Sequence, residues 1–172
     1  VNELVPNVIP IERGDVVVFK DPGGWLGPAE VRQLNPFVAA GEWFLSAFGV
    51  VAPDSSQHLV KRVIGIGGDH VVCCDGGGKL TINGHPLNEP YLAKDVQPST
   101  ADFDVTVPQD SIWVMGDNRS NSEDSRYHQD LPSKGFVSKE FIVGRAIVVS
   151  WPFSNWQWLD NYPDVFKDVT KP

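Results

Sequence analysis

The sequence predicts a mostly β domain with little helix and a small hairpin lobe inserted into its core. Short runs of Val, Ile and Phe recur along the 172 residues, separated by 16 glycines and 14 prolines, too many breakers for a helical bundle. With 41% hydrophobic residues, this length supports one ordinary core plus a small appended lobe. No apolar stretch reaches the roughly 18 to 20 residues that a membrane-spanning helix needs. Residues 37–52 come nearest, and Glu42 interrupts them.

The first strand covers 15–19, a β-branched run opened by Arg13-Gly14 and closed by the turn sequence Asp21-Pro22-Gly23-Gly24. Residues 23–57 form an irregular insertion, in which 38–48 reads as a short amphipathic helix carrying Trp43, Phe44, Leu45 and Phe48. Packing on the sheet is the plainer reading of that helix; a membrane-surface element competes with it but lacks the usual cationic face. A second strand spans 58–66 and is broken by Gly67-Gly68-Asp69. A third covers 71–74, and a fourth at 80–82 runs into Asn83-Gly84, a strong hairpin signal.

Residues 79–107, with Pro86, Pro90 and Pro98, are too short and too broken for a core of their own. They read as the inserted hairpin lobe, dividing the main core into 1–78 and 108–172. A strand at 111–115 leads into the most polar segment of the chain, and a last strand covers 141–151. Cys73 and Cys74 are neighbours, and neighbours alternate faces on a strand. A disulfide between them is therefore disfavoured, and two ordinary thiols are expected. The 22 acidic against 14 basic residues give a net charge of −8, which excludes a nucleic-acid groove as the main business of the molecule.

Two features carry chemistry. Along His58-Leu59-Val60-Lys61-Arg62-Val63-Ile64-Gly65 the strand period puts Leu59, Lys61 and Val63 on one face and Val60, Arg62 and Ile64 on the other. Each face carries one cation among aliphatics. A buried lysine can lose its proton and become a general base, whereas arginine stays charged; an edge lysine whose amine reaches water is the bland alternative. The other feature is Gly116-Asp117-Asn118-Arg119-Ser120-Asn121-Ser122-Glu123-Asp124-Ser125-Arg126, which contains no apolar side chain. A calcium loop is excluded, because Arg119 stands at a ligand position and His128 at the twelfth. A solvated turn is the bland reading here. Together, Lys61 and the Ser122 region would supply a lysine base and the hydroxyl that orients it.

At these residues the chain resembles bacterial type I signal peptidase. Three boxes occur in the family's order and spacing: Gly14-Asp15-Val16-Val17-Val18-Phe19, Lys61-Arg62-Val63-Ile64-Gly65-Ile66-Gly67-Gly68-Asp69, and the polar loop 116–126. Gly144-Arg145-Ala146 extends the similarity to most of the chain outside 23–57. The resemblance implies a signal-peptidase-like catalytic β-domain of a membrane-bound Ser-Lys endopeptidase that removes signal peptides from exported preproteins after small residues. It requires no cofactor and no metal. It implies that Lys61 is the general base and that Ser122 orients it, with Asp124 and Arg126 as one supporting ion pair and Arg62 and Asp117 as another. Leu59 and Val60 fall on the strand that pairs with the extended substrate. Gly67 stands where many members carry proline.

The family's nucleophile is a serine in a Ser-Met-x-Pro type box a few tens of residues before the Gly-Asp box. Residues 1–13 contain no serine, and Ser46, Ser55 and Ser56 do not sit in such a box. The expectation is therefore a catalytic region without its nucleophile or membrane anchor, inactive alone, from a parent enzyme on the extracytoplasmic face of the bacterial cytoplasmic membrane. A non-catalytic peptide-binding β module is the alternative. Self-cleaving Ser-Lys peptidases of stress-response repressors are a third class, which the polar loop fits poorly. Trp156 and Trp158 are candidates for contact with the membrane surface.

Overall fold

A computed structural model describes residues 10–26, 58–149 and 156–172. In chain order the strands are β1 (Val16–Lys20), β2 (His58–Ile66), β3 (His70–Cys73), β4 (Thr81–Ile82), β5 (His85–Pro86), β6 (Phe103–Thr106), β7 (Ser111–Met115), β8 (Val137–Ser138), β9 (Ile142–Ala146), β10 (Val148–Val149) and β11 (Gln157–Trp158). They form an antiparallel five-stranded sheet in the order β8-β7-β2-β1-β9, a four-stranded sheet in the order β5-β4-β3-β6, and the pair β10-β11.

Strand β2 organises the molecule because both faces are buried over its 62–65 stretch. Val63 joins Val17, Phe19, Ile112 and Val114 in one apolar cluster. Ile64 joins Val71, Leu80, Ile82, Trp113 and Met115 in the other, which fills the space between the two larger sheets. Each fully buried side chain of this kind contributes about 1.5–3 kcal/mol. A one-residue slip would exchange the two sets, so the register is fixed, and with it the opposite faces on which Lys61 and Arg62 emerge. The register with β1 runs from Val16↔Arg62 to Lys20↔His58.

The Asn83-Gly84 turn closes a two-residue hairpin in which Thr81 pairs with Pro86 and Ile82 with His85. That hairpin is the outer half of a larger sheet, since β3 pairs with both β4 and β6. At Gly67 a Cβ would stand 2.1 Å from the Gln109 carbonyl oxygen, so the turn after β2 passes too close to that backbone for any side chain. Pro163–Phe166 forms a one-turn helix with proline in its first turn, and Phe166 reaches the core between the larger sheets.

Two expectations are corrected. The last strand is not continuous: Lys139–Phe141 is a 3₁₀ turn, β9 pairs with β1, and after Ile147 the chain pairs with β11 in a separate ribbon. Residues 150–151 lie outside the described residues, as does the helix expected at 38–48. Cys73 and Cys74 are not free thiols but are joined to each other, their Cα atoms 2.9 Å apart. The alternation argument fails because β3 ends at Cys73 and the chain turns at once, with Asp75 N donating to Lys79 O at 2.9 Å.

Candidate active site

Lys61 lies where β2 changes neighbours. Strand β7 pairs with β2 only from Arg62 to Ile66, so along Leu59, Val60 and Lys61 the strand pairing among the described residues is with β1 alone. The Lys61 amine crosses to the polar loop and donates to Ser122 Oγ at 2.9 Å. Ser122 follows a 3₁₀ turn, Arg119–Asn121, that folds the loop back on itself. Its hydroxyl rests against bare backbone at Gly116, where a Cβ would stand 2.1 Å from Oγ. Burial pushes the Lys61 amine below the usual lysine value; Asp124 and Glu123 oppose this and Arg126 reinforces it.

The rest of the loop is held from inside. Arg126 Nε and Nη2 donate to the two carboxylate oxygens of Asp124 at 2.8 and 2.9 Å, with both side chains completely buried. Asp124 Oδ2 also accepts from Gly116 N at 3.0 Å. Ser125 Oγ accepts from Val114 N at 2.9 Å, tying the loop to β7. The His128 ring donates from Nδ1 to the Asp124 carbonyl at 2.7 Å and stacks on Trp25, with ring centroids 4.4 Å apart.

On the opposite face of β2, Arg62 is heavily paired. Its Nε and Nη2 donate to the carboxylate of Asp117, both at 2.8 Å, and Nη1 donates to the carbonyls of Gly14 and Asp160. The guanidinium lies over the rings of Tyr91 and Tyr162, 4.5 and 5.2 Å from their centroids. Burial alone would pull its pKa down, but the hydrogen bonds and charge of Asp117 outweigh this and hold it above the ordinary value.

The structure thus brings Lys61, Ser122, Asp124 and Arg126 together, and joins Arg62 and Asp117 behind them. Leu59 packs on the first cluster, while Val60 is 53% exposed. Trp156 and Trp158 are exposed at and beside β11. Ser46, Ser55 and Ser56 lie outside the described residues, among which no three His, Cys, Asp or Glu side chains are grouped to hold a metal.

Sequence reasoning overlooked Ser125 and His128 as anchors, and Glu89, which receives Arg119 Nη2 at 2.5 Å. The signal for Glu89 was Arg119 itself, a cation assigned no carboxylate.

Residues 1–151 match the sequence model of the family described as signal peptidase, peptidase S26. A probable signal peptidase I of Mycobacterium leprae is 41% identical over 165 residues, covering 83% of this chain and 56% of that protein. A signal peptidase I of Mycobacterium tuberculosis is 41% identical over 162 residues, covering 83% and 53%. The chain thus spans about half the length of the curated relatives it matches. A crystal structure of a signal peptidase I from Enterococcus faecalis aligns with a TM-score of 0.48 at 26% identity, over 79% of this chain and 96% of that one.

Proposed function

We propose, since this chain belongs to the signal peptidase family, peptidase S26, that it carries the lysine base of a Ser-Lys endopeptidase removing signal peptides from exported preproteins. One observation carries the reading: a partly buried amine, pushed toward its neutral form, held 2.9 Å from a hydroxyl beside a length of strand that, among the described residues, pairs with β1 alone. In the parent enzyme a serine hydroxyl attacks the carbonyl after a small residue. Lys61 takes its proton and returns it to the leaving amine. Ser122 holds the amine in line, and the Asp124–Arg126 and Arg62–Asp117 pairs keep loop and strand in place.

The extended substrate adds to the side of Leu59 and Val60 that no described strand occupies, through backbone hydrogen bonds like those β7 makes further along. None of this chain's serines sits in the family's nucleophile box, so the polypeptide alone hydrolyses nothing. The parent acts at the extracytoplasmic face of the bacterial cytoplasmic membrane, and Trp156 and Trp158, 56% and 73% exposed, rest on the lipid surface. Among the described residues no helix is long and apolar enough to cross a membrane.

The deciding experiment compares preprotein cleavage by the intact enzyme, by its Lys61→Ala variant and by the 172-residue chain. Cleavage is expected from the first alone. The strand edge that no described strand covers also suits a peptide-binding module, and that reading gains if the intact protein binds signal peptides tightly but never cuts them. Liposome flotation unaffected by replacing both tryptophans would remove the membrane contact.

A further inference from the structure

We propose that Glu89 and Tyr91 are positioning residues for Lys61, clamping from the hairpin lobe the two arginines, Arg119 and Arg62, that hold the Ser122 loop against the lysine strand. The inference rests on Lys61 being the base, and it concerns residues that touch neither the amine nor the site of attack.

Glu89 and Arg119 bury their charges together, with side chains 3% and 1% exposed. The Glu89 carboxylate accepts from Arg119 Nη2 at 2.5 Å and Nη1 at 3.2 Å, and from the Tyr91 hydroxyl at 2.7 Å. Arg119 fills its other donors by bonding Pro98 O at 2.8 Å and Gly116 O at 3.1 Å. Gly116 is the residue on which the Ser122 hydroxyl rests. The Arg119 carbonyl in turn accepts from Arg126 Nη2 at 2.9 Å, and Arg126 holds Asp124. One carboxylate in the lobe therefore reaches both supports of Ser122, the glycine beneath it and the ion pair beyond it.

Tyr91 completes the clamp from the other side. Its ring lies 4.5 Å from the Arg62 guanidinium, which holds Asp117, the residue after Gly116. Burial pushes the Tyr91 hydroxyl well above its usual pKa, with Glu89 reinforcing this, so it stays a donor to Glu89 across any working pH. A buried ion pair is a poor stabiliser beside a well-packed apolar pair, and what it contributes is geometry. Here the geometry is that of the loop facing Lys61.

The test reads the Lys61 amine directly. In the 172-residue chain with 13C-labelled lysine, the Lys61 resonance is identified by its absence from Lys61→Ala and titrated against pH. The groups acting on the amine are the Ser122 hydroxyl and the charges of Asp124, Arg126 and Glu123. In Tyr91→Leu and in Glu89→Gln the loop loosens and water reaches the amine. Its midpoint is expected to rise toward 10.5, each pH unit of rise being a tenfold loss of neutral amine at fixed pH.

Thermal unfolding is followed in parallel. If either variant lacks a cooperative transition, Tyr91→Phe, which keeps the ring and loses only the bond to Glu89, is expected to move the midpoint the same way by less. Unchanged midpoints in the folded variants overturn the clamp. In the intact enzyme the same variants are expected to lower kcat about tenfold with KM little changed. Full cleavage by intact Lys61→Ala would defeat the base assignment instead, whereas an inactive Lys61→Ala beside unmoved midpoints defeats the clamp alone.

Discussion

Lys61 and Arg62 are adjacent cations on opposite faces of one strand, and they are treated in opposite ways. Arg62 receives both oxygens of a carboxylate, two carbonyls and two aromatic rings. Among the described residues Lys61 meets one hydroxyl. The carboxylate that pulls hardest on it, Asp124, already has both oxygens engaged by Arg126 and Gly116. The pKa values move accordingly, up for Arg62 and down for Lys61. Full pairing fixes a charge and makes it a structural part, whereas sparse pairing with partial burial leaves a proton that can be given up.

The largest effect that tests this contrast is on turnover. Lys61→Ala in the intact enzyme is expected to lower kcat about a thousandfold, near the middle of what general acid–base catalysis supplies, with little loss of stability. A loss of that size from Arg62→Met with Lys61→Ala active would invert the contrast. Next comes Asp124→Asn, which leaves the buried Arg126 charge without its partner. Urea unfolding of the chain should show a loss of about 3–5 kcal/mol. Arg62→Met should cost less, about 1–2 kcal/mol, because Asp117 is 39% exposed and rehydrates when abandoned.

Ser122→Ala removes the acceptor of the Lys61 amine without disturbing an ion pair. We expect roughly a tenfold lower kcat, unchanged KM and an unfolding midpoint close to that of the parent. The smallest effect is on the pH dependence of stability. The folded-state pKa of Lys61 lies below its ordinary value of 10.5, so between the two the unfolded chain binds more protons and stability rises with pH. That contribution is complete above the unfolded value and lost as pH falls through the folded one. Lys61→Met should flatten the rise, and an unchanged slope would mean that the amine is as well solvated folded as unfolded.

What was legible in the sequence was whatever local period or composition encodes. His58–Ile66 and Ser111–Met115 stand out because both are apolar runs bounded by turn chemistry, and the structure keeps those bounds. Strand period separates the two cations onto two faces, but the pairing of Arg62 with Asp117 is implied only by the resemblance to signal peptidase. The partnership of Arg119 with Glu89 was not legible, because 30 residues separate them and no periodicity relates a loop to a hairpin lobe. The cysteine pair was misread because strand alternation was applied one residue past the end of the strand. The break after β9 was hidden since its β-branched residues continue while their partner changes from β1 to β11.

The turn after β1 has a consequence for how the molecule can be altered. Asp21 accepts backbone hydrogen bonds from Gly23, Trp25 and Leu26, and Trp25 is stacked on His128 at the end of the polar loop. The other end of the excursion is set where Lys20 pairs with His58. Among the described residues both ends are therefore held by contacts with the frame. A flexible connection between two ends held this way acts on stability through its length, by closure entropy. Each doubling of a flexible replacement would add only about 0.6 kcal/mol of closure cost.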